Sequence, residues 1–220
     1  KFVETHRGLL AQLLDEVLPA AAVDHSAPTG TAGFNQRFGL RTEPPLVRFR
    51  LLDPLLHIHG LSDLSLVPEQ FAALQLPLRR IFITENRTNG LTFPDHPGAM
   101  VVFGLGYGLD RLAGVNWLRQ ADVCYWGDID THGFGILDRM RVSLPHATSI
   151  LMDRETLDGH RSLWGREPSD KRLTGDLTHL NADEHALFDD LRSDRFGPGV
   201  RLEQERIGYG WLVRALTNLE

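Results

Sequence analysis

The sequence contains a single cysteine, Cys124, among its 220 residues. A disulfide needs two cysteines and a thiolate zinc site needs two or more, so both are excluded within this chain. Cys124 lies in an apolar segment, where a lone cysteine behaves as a small buried side chain. The chain is therefore neither a disulfide scaffold nor a cysteine-ligated zinc domain.

The sequence also lacks an apolar run of the roughly 18 residues that a membrane-spanning helix requires. Its first residues, Lys1-Phe2-Val3-Glu4, do not resemble a signal peptide. Hydrophobic residues make up 42% of the chain and charged residues 24%, which is ordinary for a soluble domain. We therefore expect a cytoplasmic, globular protein with no membrane partner.

Positive charge is scarce, since the formal net charge is −6. Only two of the 23 basic residues, Lys1 and Lys171, are lysines, and the others are arginines. A negative net charge opposes binding to nucleic acid, because phosphate contacts dominate that affinity. Arginine side chains fork onto phosphate, however, and metal ions would neutralise acidic residues locally. We expect a weak intrinsic affinity for DNA.

Acidic residues follow two of the apolar segments. Residues 122–127 predict a strand that carries Asp128 and Asp130 to its carboxyl end, where side chains two positions apart face the same way. Upstream, residues 80–86 predict a short strand that ends in Glu85. The carboxyl ends of strands in open α/β sheets form one crevice, so we expect Glu85, Asp128 and Asp130 to converge. Carboxylate oxygens there suit Mg²⁺ or Mn²⁺ better than Zn²⁺.

The remaining pattern predicts an α/β protein with an open, mainly parallel sheet, flanking helices, and helical segments at both ends of the chain. We divide the chain into an N-terminal segment (1–78), a core (79–165) and a C-terminal helical segment (166–220). Helices are predicted over residues 2–18, 69–76, 134–144, 155–164, 181–192 and 202–219, and residues 109–120 form an amphipathic segment. Strands are predicted over residues 46–51, 80–86, 99–103, 122–127 and 148–153, and residues 165–175 are interpreted as a loop.

Three motifs follow one another along the chain. They are a glutamate at the end of a strand, a strand that runs into a glycine-rich turn (104–108), and the pattern Asp128-x-Asp130-x-x-Gly133. This order resembles the Toprim fold of topoisomerases, bacterial primases and several nucleases. Residues 125–137 are similar to the topoisomerase VI A-subunit branch, and more similar to the JetD family, the nuclease subunit of the Wadjet plasmid-defence system. Four further stretches resemble the carboxyl-terminal region of that family, at residues 38–41, 48–54, 151–154 and 201–207.

The resemblance implies a metal-dependent DNA endonuclease that cleaves closed circular plasmid DNA together with an SMC-like motor complex. It implies Asp128 and Asp130 as ligands of Mg²⁺ or Mn²⁺, and Glu85 as a further ligand or a general acid or base. Double-stranded DNA would be guided by basic residues close in sequence to the site (Arg87, Arg111, His132 and Arg154). Topoisomerase VI relatives are dimers, so we expect a homodimer. The family also has an amino-terminal portion before this region, and we expect the chain to be a fragment.

Topoisomerase VI relatives cut DNA with a tyrosine from a domain that precedes the Toprim fold. Residues 1–84 contain no tyrosine, and the three present are Tyr107, Tyr125 and Tyr209. We therefore expect hydrolysis by metal-activated water, although a tyrosine outside this chain would reopen strand transfer. Two further alternatives stay open: another Asp-x-Asp phosphoryl-transfer enzyme, and a docking module without catalytic activity.

Overall fold

The computed structural model describes residues 1–41, 44–104, 108–112 and 114–219. The chain forms two compact units, residues 1–45 and 46–220. The divisions predicted after residues 78 and 165 stay predictions. Within the described residues, no helix combines the length and the apolar character needed to cross a bilayer.

The first unit begins with helix α1 (Phe2–Val17), which ends before Pro19, as predicted. A short helix, α2 (Phe34–Arg37), follows a connection that has only one 3₁₀ turn, Ala20–Ala22. The buried Arg37 donates from Nε to Asp15 Oδ1 at 2.8 Å and so ties α2 to α1.

The second unit is built on a six-stranded sheet. Its strands are β1 (Val47–Leu51), β2 (Asp63–Leu66), β3 (Arg80–Thr84), β4 (Ala99–Phe103), β5 (Asp122–Trp126) and β6 (Thr148–Ser149). The strand order is β2-β1-β4-β3-β5-β6. Strands β4, β3, β5 and β6 pair in parallel, and β1 runs antiparallel to both of its neighbours. The prediction of an open, mainly parallel α/β sheet is confirmed.

The three central strands are buried because both faces of the sheet are covered. Every residue of β4 is buried, as are four of the five in β3 and in β5. Their sequences are continuous runs of Val, Ile, Phe and other apolar residues, as expected of parallel strands. The helices of this unit are α3 (Pro68–Ala72), α4 (Arg87–Leu91), α5 (Thr131–Ser143), α6 (Arg154–Gly159), α7 (Ala182–Arg192) and α8 (Tyr209–Thr217).

The predicted amphipathic segment contains two 3₁₀ segments, Gly108–Leu112 and Asn116–Gln120. Two sequence-based expectations about single elements were wrong. The strand expected over residues 148–153 is only the two residues of β6. The last helix begins at Tyr209 instead of residue 202, because Leu202 forms an antiparallel bridge with Ile129. In the last case tertiary pairing overrides the local helical pattern.

A second, two-stranded sheet pairs the start of the predicted loop with two residues just before the last predicted helix. Strand β7 (Gly165–Arg166) pairs antiparallel with β8 (Val200–Arg201). This pairing and the bridge from Leu202 to Ile129 bring the C-terminal segment against the carboxyl end of β5.

Candidate active site

The carboxyl ends of β3 and β5 position Glu85 and Asp128. These strands are adjacent and parallel, and their ladder ends at the pair Thr84 and Trp126. Glu85 is the first residue after β3, and Asp128 follows β5 after Gly127. The two carboxylates therefore leave the same edge of the sheet side by side.

Asp130 is held as the N-cap residue of α5. Its Oδ1 accepts the backbone N–H of Gly133 at 2.7 Å, which satisfies one of the free amides of the first helical turn. The side chain is only 3% exposed. Burial, followed by the nearby carboxylate of Glu167, raises the pKa of Asp130 to about 7. The site thus concentrates negative charge in a poorly solvated position.

Two glycines are required by close approach at this site. A Cβ on Gly133 would lie 2.2 Å from the backbone oxygen of Asp128. A Cβ on Gly127 would lie 2.4 Å from the Tyr125 hydroxyl and 2.8 Å from Glu85 Oε1. A larger residue at position 133 would therefore force the Asp128 backbone to shift, and one at position 127 would displace Tyr125 or Glu85.

Glu85 is oriented by Tyr125. The hydroxyl of the fully buried Tyr125 donates to Glu85 Oε1 at 2.6 Å. Burial raises the pKa of Glu85, and burial together with the Glu85 charge raises that of Tyr125 well above its usual value. Tyr125 is therefore a neutral hydrogen-bond donor, and it is enclosed too deeply to attack a substrate.

Arg201 is the counter-ion of the two aspartates. Its Nη2 forms an ion pair with Asp128 Oδ2, and its Nε lies 3.1 Å from Asp130 Oδ2. The second contact is an ion pair without the geometry of a hydrogen bond, since Nε has no hydrogen-bond partner within the described residues. Arg201 comes from β8, and the sequence pattern gave no indication of its position.

Glu167 is a further buried carboxylate at the site, and it follows β7 directly. Its Oε1 accepts the Thr131 hydroxyl at 2.8 Å and the backbone N–H of His132 at 3.0 Å. A carboxylate at the N-terminus of α5 is favoured by the free amides and by the helix dipole. Sequence reasoning missed Glu167 because residues 165–175 carry no strand-like pattern. Only the pairing with β8 brings it to the site.

These groups line one cavity, which has a volume of about 200 Å³. Its lining residues are Glu85, Asp128, Asp130, His132, Gly133, Ile136, Glu167, Pro168, Lys171 and Arg201. All three carboxylates that the sequence singled out therefore lie at the same cavity.

Of the four basic residues expected to contact DNA, only His132 lines this cavity. Burial lowers the pKa of its imidazole, which favours the neutral form. Arg87 is exposed at the start of α4, and Arg111 donates to the backbone oxygen of Leu46 at 3.1 Å. Arg154 forms an ion pair with Asp190. Nearness in sequence to the carboxylates therefore identified one of the basic residues around the cavity, His132, and missed Lys171 and Arg201.

The glycine-rich turn after β4 lies partly outside the described residues, including Gly106 and Tyr107. Gly104 is exposed with a φ of 69°, a left-handed conformation that favours glycine. Tyr209, the first residue of α8, is exposed and does not line the cavity.

The ligand chemistry of the site suits a hard divalent ion, because every carboxylate supplies oxygen donors. Among the described residues, however, no three His, Cys, Asp or Glu side chains are grouped closely enough to share an ion. Arg201 pairs with two of the three predicted ligands instead. The donors therefore fit Mg²⁺ or Mn²⁺, whereas in this arrangement an arginine balances their charge.

Comparison with known proteins gives one family. Residues 39–216 match the family described as Wadjet protein JetD, C-terminal. The match covers most of the chain and includes every residue that lines the cavity. No sequence among curated proteins gives a significant match.

Proposed function

Because the chain belongs to the JetD family and is thereby a component of a Wadjet system, we propose that it carries the cutting site of a metal-dependent DNA endonuclease. The proposed substrate is closed circular plasmid DNA, delivered by an SMC-like motor complex in the cytoplasm. The observation that supports this function best is the convergence of Glu85, Asp128 and Asp130 on one cavity at the carboxyl ends of β3 and β5.

Phosphodiester hydrolysis requires neutralisation of charge on the attacked phosphoryl group and on the leaving oxygen. A bound Mg²⁺ or Mn²⁺ would supply that neutralisation. Asp128 and Asp130 are the proposed ligands, and Asp130 is fixed by the first turn of α5. Glu85, held by Tyr125, is proposed either to complete the ligand set or to exchange a proton with the attacking water.

Attack by water is favoured over attack by a tyrosine of this chain. Tyr125 is buried and engaged with Glu85, and Tyr209 does not line the cavity. Tyr107 lies outside the described residues. Hydrolysis therefore fits the described tyrosines better than a reversible covalent link.

Substrate contacts would come from basic residues around the cavity. Lys171 and Arg201 line it together with His132. They are few, and the chain carries a net charge of −6, so the partner complex is proposed to hold most of the DNA. We also propose a homodimer, which would provide two cutting sites for the two strands of a duplex.

The experiment is plasmid cleavage by the full-length protein with its motor partners, ATP and Mn²⁺. Asp130→Asn keeps the capping oxygen and removes the charge, and we expect it to lower cleavage by at least about a hundredfold. Asp153→Asn is the matched control, because Asp153 caps α6 through Thr156 N at 2.7 Å and lies outside the cavity. Wild-type cleavage by Asp130→Asn would contradict the proposed site.

A docking module without catalytic activity is the second candidate. It is favoured by one observation, the structural roles that the aspartates already have: Asp128 pairs with Arg201, and Asp130 caps α5. The two functions differ in a calorimetric titration with Mn²⁺. Binding that Asp130→Asn abolishes supports the nuclease, and the absence of binding in the wild type supports the docking module.

A further inference from the structure

The ladder between β3 and β5 ends one residue before Glu85 and two residues before Asp128. Backbone pairing between the two strands therefore does not by itself fix the distance between these carboxylates. A side chain from the C-terminal segment continues the connection past the end of the ladder. That side chain is Gln204, which has no exposed surface.

On the β3 side, Gln204 binds the residues that flank Glu85. Its Oε1 accepts the hydroxyl of Thr84, the residue before Glu85. The same oxygen accepts the backbone N–H of Asn86, the residue after Glu85, at 3.1 Å. Asn89 Nδ2 in α4 adds a third hydrogen bond at 3.2 Å. The residues on either side of Glu85, Thr84 and Asn86, therefore both donate to Gln204 Oε1.

On the β5 side, Gln204 binds the strand end and Asp128 itself. Its Nε2 donates to the backbone oxygen of Trp126 at 3.0 Å. Its backbone N–H donates to Asp128 Oδ1 at 2.9 Å. Two backbone hydrogen bonds between Leu202 and Ile129, at 2.9 and 3.1 Å, fix the segment two residues earlier.

The amide group of glutamine suits this position because it carries an acceptor and donors on one planar group. The acceptor faces the β3 side and a donor faces the β5 side, so each strand end receives the partner that it needs. A fully buried amide whose polar atoms are all used is a rigid connection, since any displacement leaves a group unsatisfied.

We propose that Gln204 is a positioning residue that sets the separation of Glu85 and Asp128. The inference rests on the proposed function for its catalytic meaning, but the geometry that it predicts can be measured without activity. Residues that orient metal-binding groups from behind typically change metal affinity or activity by about 10- to 100-fold when they are replaced.

The test uses two variants of the full-length protein. Gln204→Met keeps the approximate length of the side chain, removes the hydrogen bonds of its amide group and leaves the backbone N–H bond to Asp128 in place. Thr84→Val is the milder variant, because it removes a single donor to Gln204 with almost no change in shape. The control is Trp117→Phe, which removes one hydrogen bond, from Nε1 to Phe71 O at 3.2 Å, outside the cavity.

We expect Thr84→Val and Gln204→Met to weaken Mn²⁺ binding in calorimetry by about 10-fold or more. In plasmid cleavage with the motor partners, kcat should fall by a similar factor while KM for the plasmid stays unchanged. Trp117→Phe should match the wild type in both measurements. Unchanged Mn²⁺ affinity and unchanged kcat in both variants would overturn the proposal. If Gln204→Met does not fold, Thr84→Val decides.

A crystal structure separates this proposal from the proposed function. If the wild-type protein binds no Mn²⁺, the metal-dependent nuclease is refuted, and the positions of the carboxylates then decide the role of Gln204. A displaced Glu85 relative to Asp128 in the variants supports the positioning role. Carboxylates in their wild-type positions overturn it.

Discussion

Replacing Arg201 by glutamine should strengthen the binding of a divalent ion to the carboxylate site. The Arg201 guanidinium pairs with Asp128, and its Nε lies 3.1 Å from Asp130 Oδ2. At an effective dielectric constant of about 20, unit charges about 4 Å apart interact by about 4 kcal/mol. Because 24% of the Arg201 side chain is exposed, solvent screening reduces the effect to roughly 1.5 to 3 kcal/mol. That corresponds to an affinity about 10- to 100-fold higher.

The measurement is a calorimetric titration of Mn²⁺ into wild-type protein and the Arg201→Gln variant at the same ionic strength. Arg206→Gln serves as the control, since Arg206 pairs with Glu203 at 2.8 Å in the same segment but does not line the cavity. We expect the control to match the wild type. An unchanged or lower affinity in Arg201→Gln would refute the view that Arg201 competes with the metal ion for the aspartates.

Two other predictions concern Glu85 and the ion pair between Arg141 of α5 and Glu184 of α7. Glu85→Gln should lower plasmid cleavage by about a hundredfold or more with little change in the melting temperature, and wild-type rates would make Glu85 a bystander. Burial raises the pKa of Glu184, but hydrogen bonds from Arg141, Ser149 and Asn181 outweigh it, so the pKa lies below the usual 4.5. A lowered pKa means stability that is present above about pH 4.5 and lost as the pH falls through the folded-state value. In urea denaturation, the free energy of unfolding should fall at acid pH in the wild type and fall much less in Glu184→Gln. The same dependence on pH in both proteins would contradict this prediction.

The local sequence was sufficient to locate the strands that carry the site. Continuous apolar runs identified β3, β4 and β5, and the carboxylates after two of them were found because parallel strands present their carboxyl ends together. The capping box at Asn181 also marked the start of α7 correctly, because its signal is contained within four residues.

The rest of the site could not be read from local pattern, because it depends on pairing between distant segments. Glu167 and Arg201 reach the cavity through the two-residue strands β7 and β8, which are too short to leave a periodic signal. Gln204 was hidden in a stretch whose apolar spacing resembles a helix. Two of the arginines chosen for their sequence proximity to the carboxylates, Arg111 and Arg154, contact Leu46 and Asp190 and do not line the cavity. Their contact with DNA stays a prediction.

The residues of the site are synthesised at different times, because the chain is made from its N-terminal end. Asp128 is made 76 residues before Gln204, which at about 5 to 20 residues per second is roughly 4 to 15 seconds. Until residue 201 is made, the nascent chain contains all three carboxylates but neither Arg201, which pairs with two of them, nor Gln204. A translation product that stops before residue 200 would keep the three carboxylates and lack both Arg201 and Gln204.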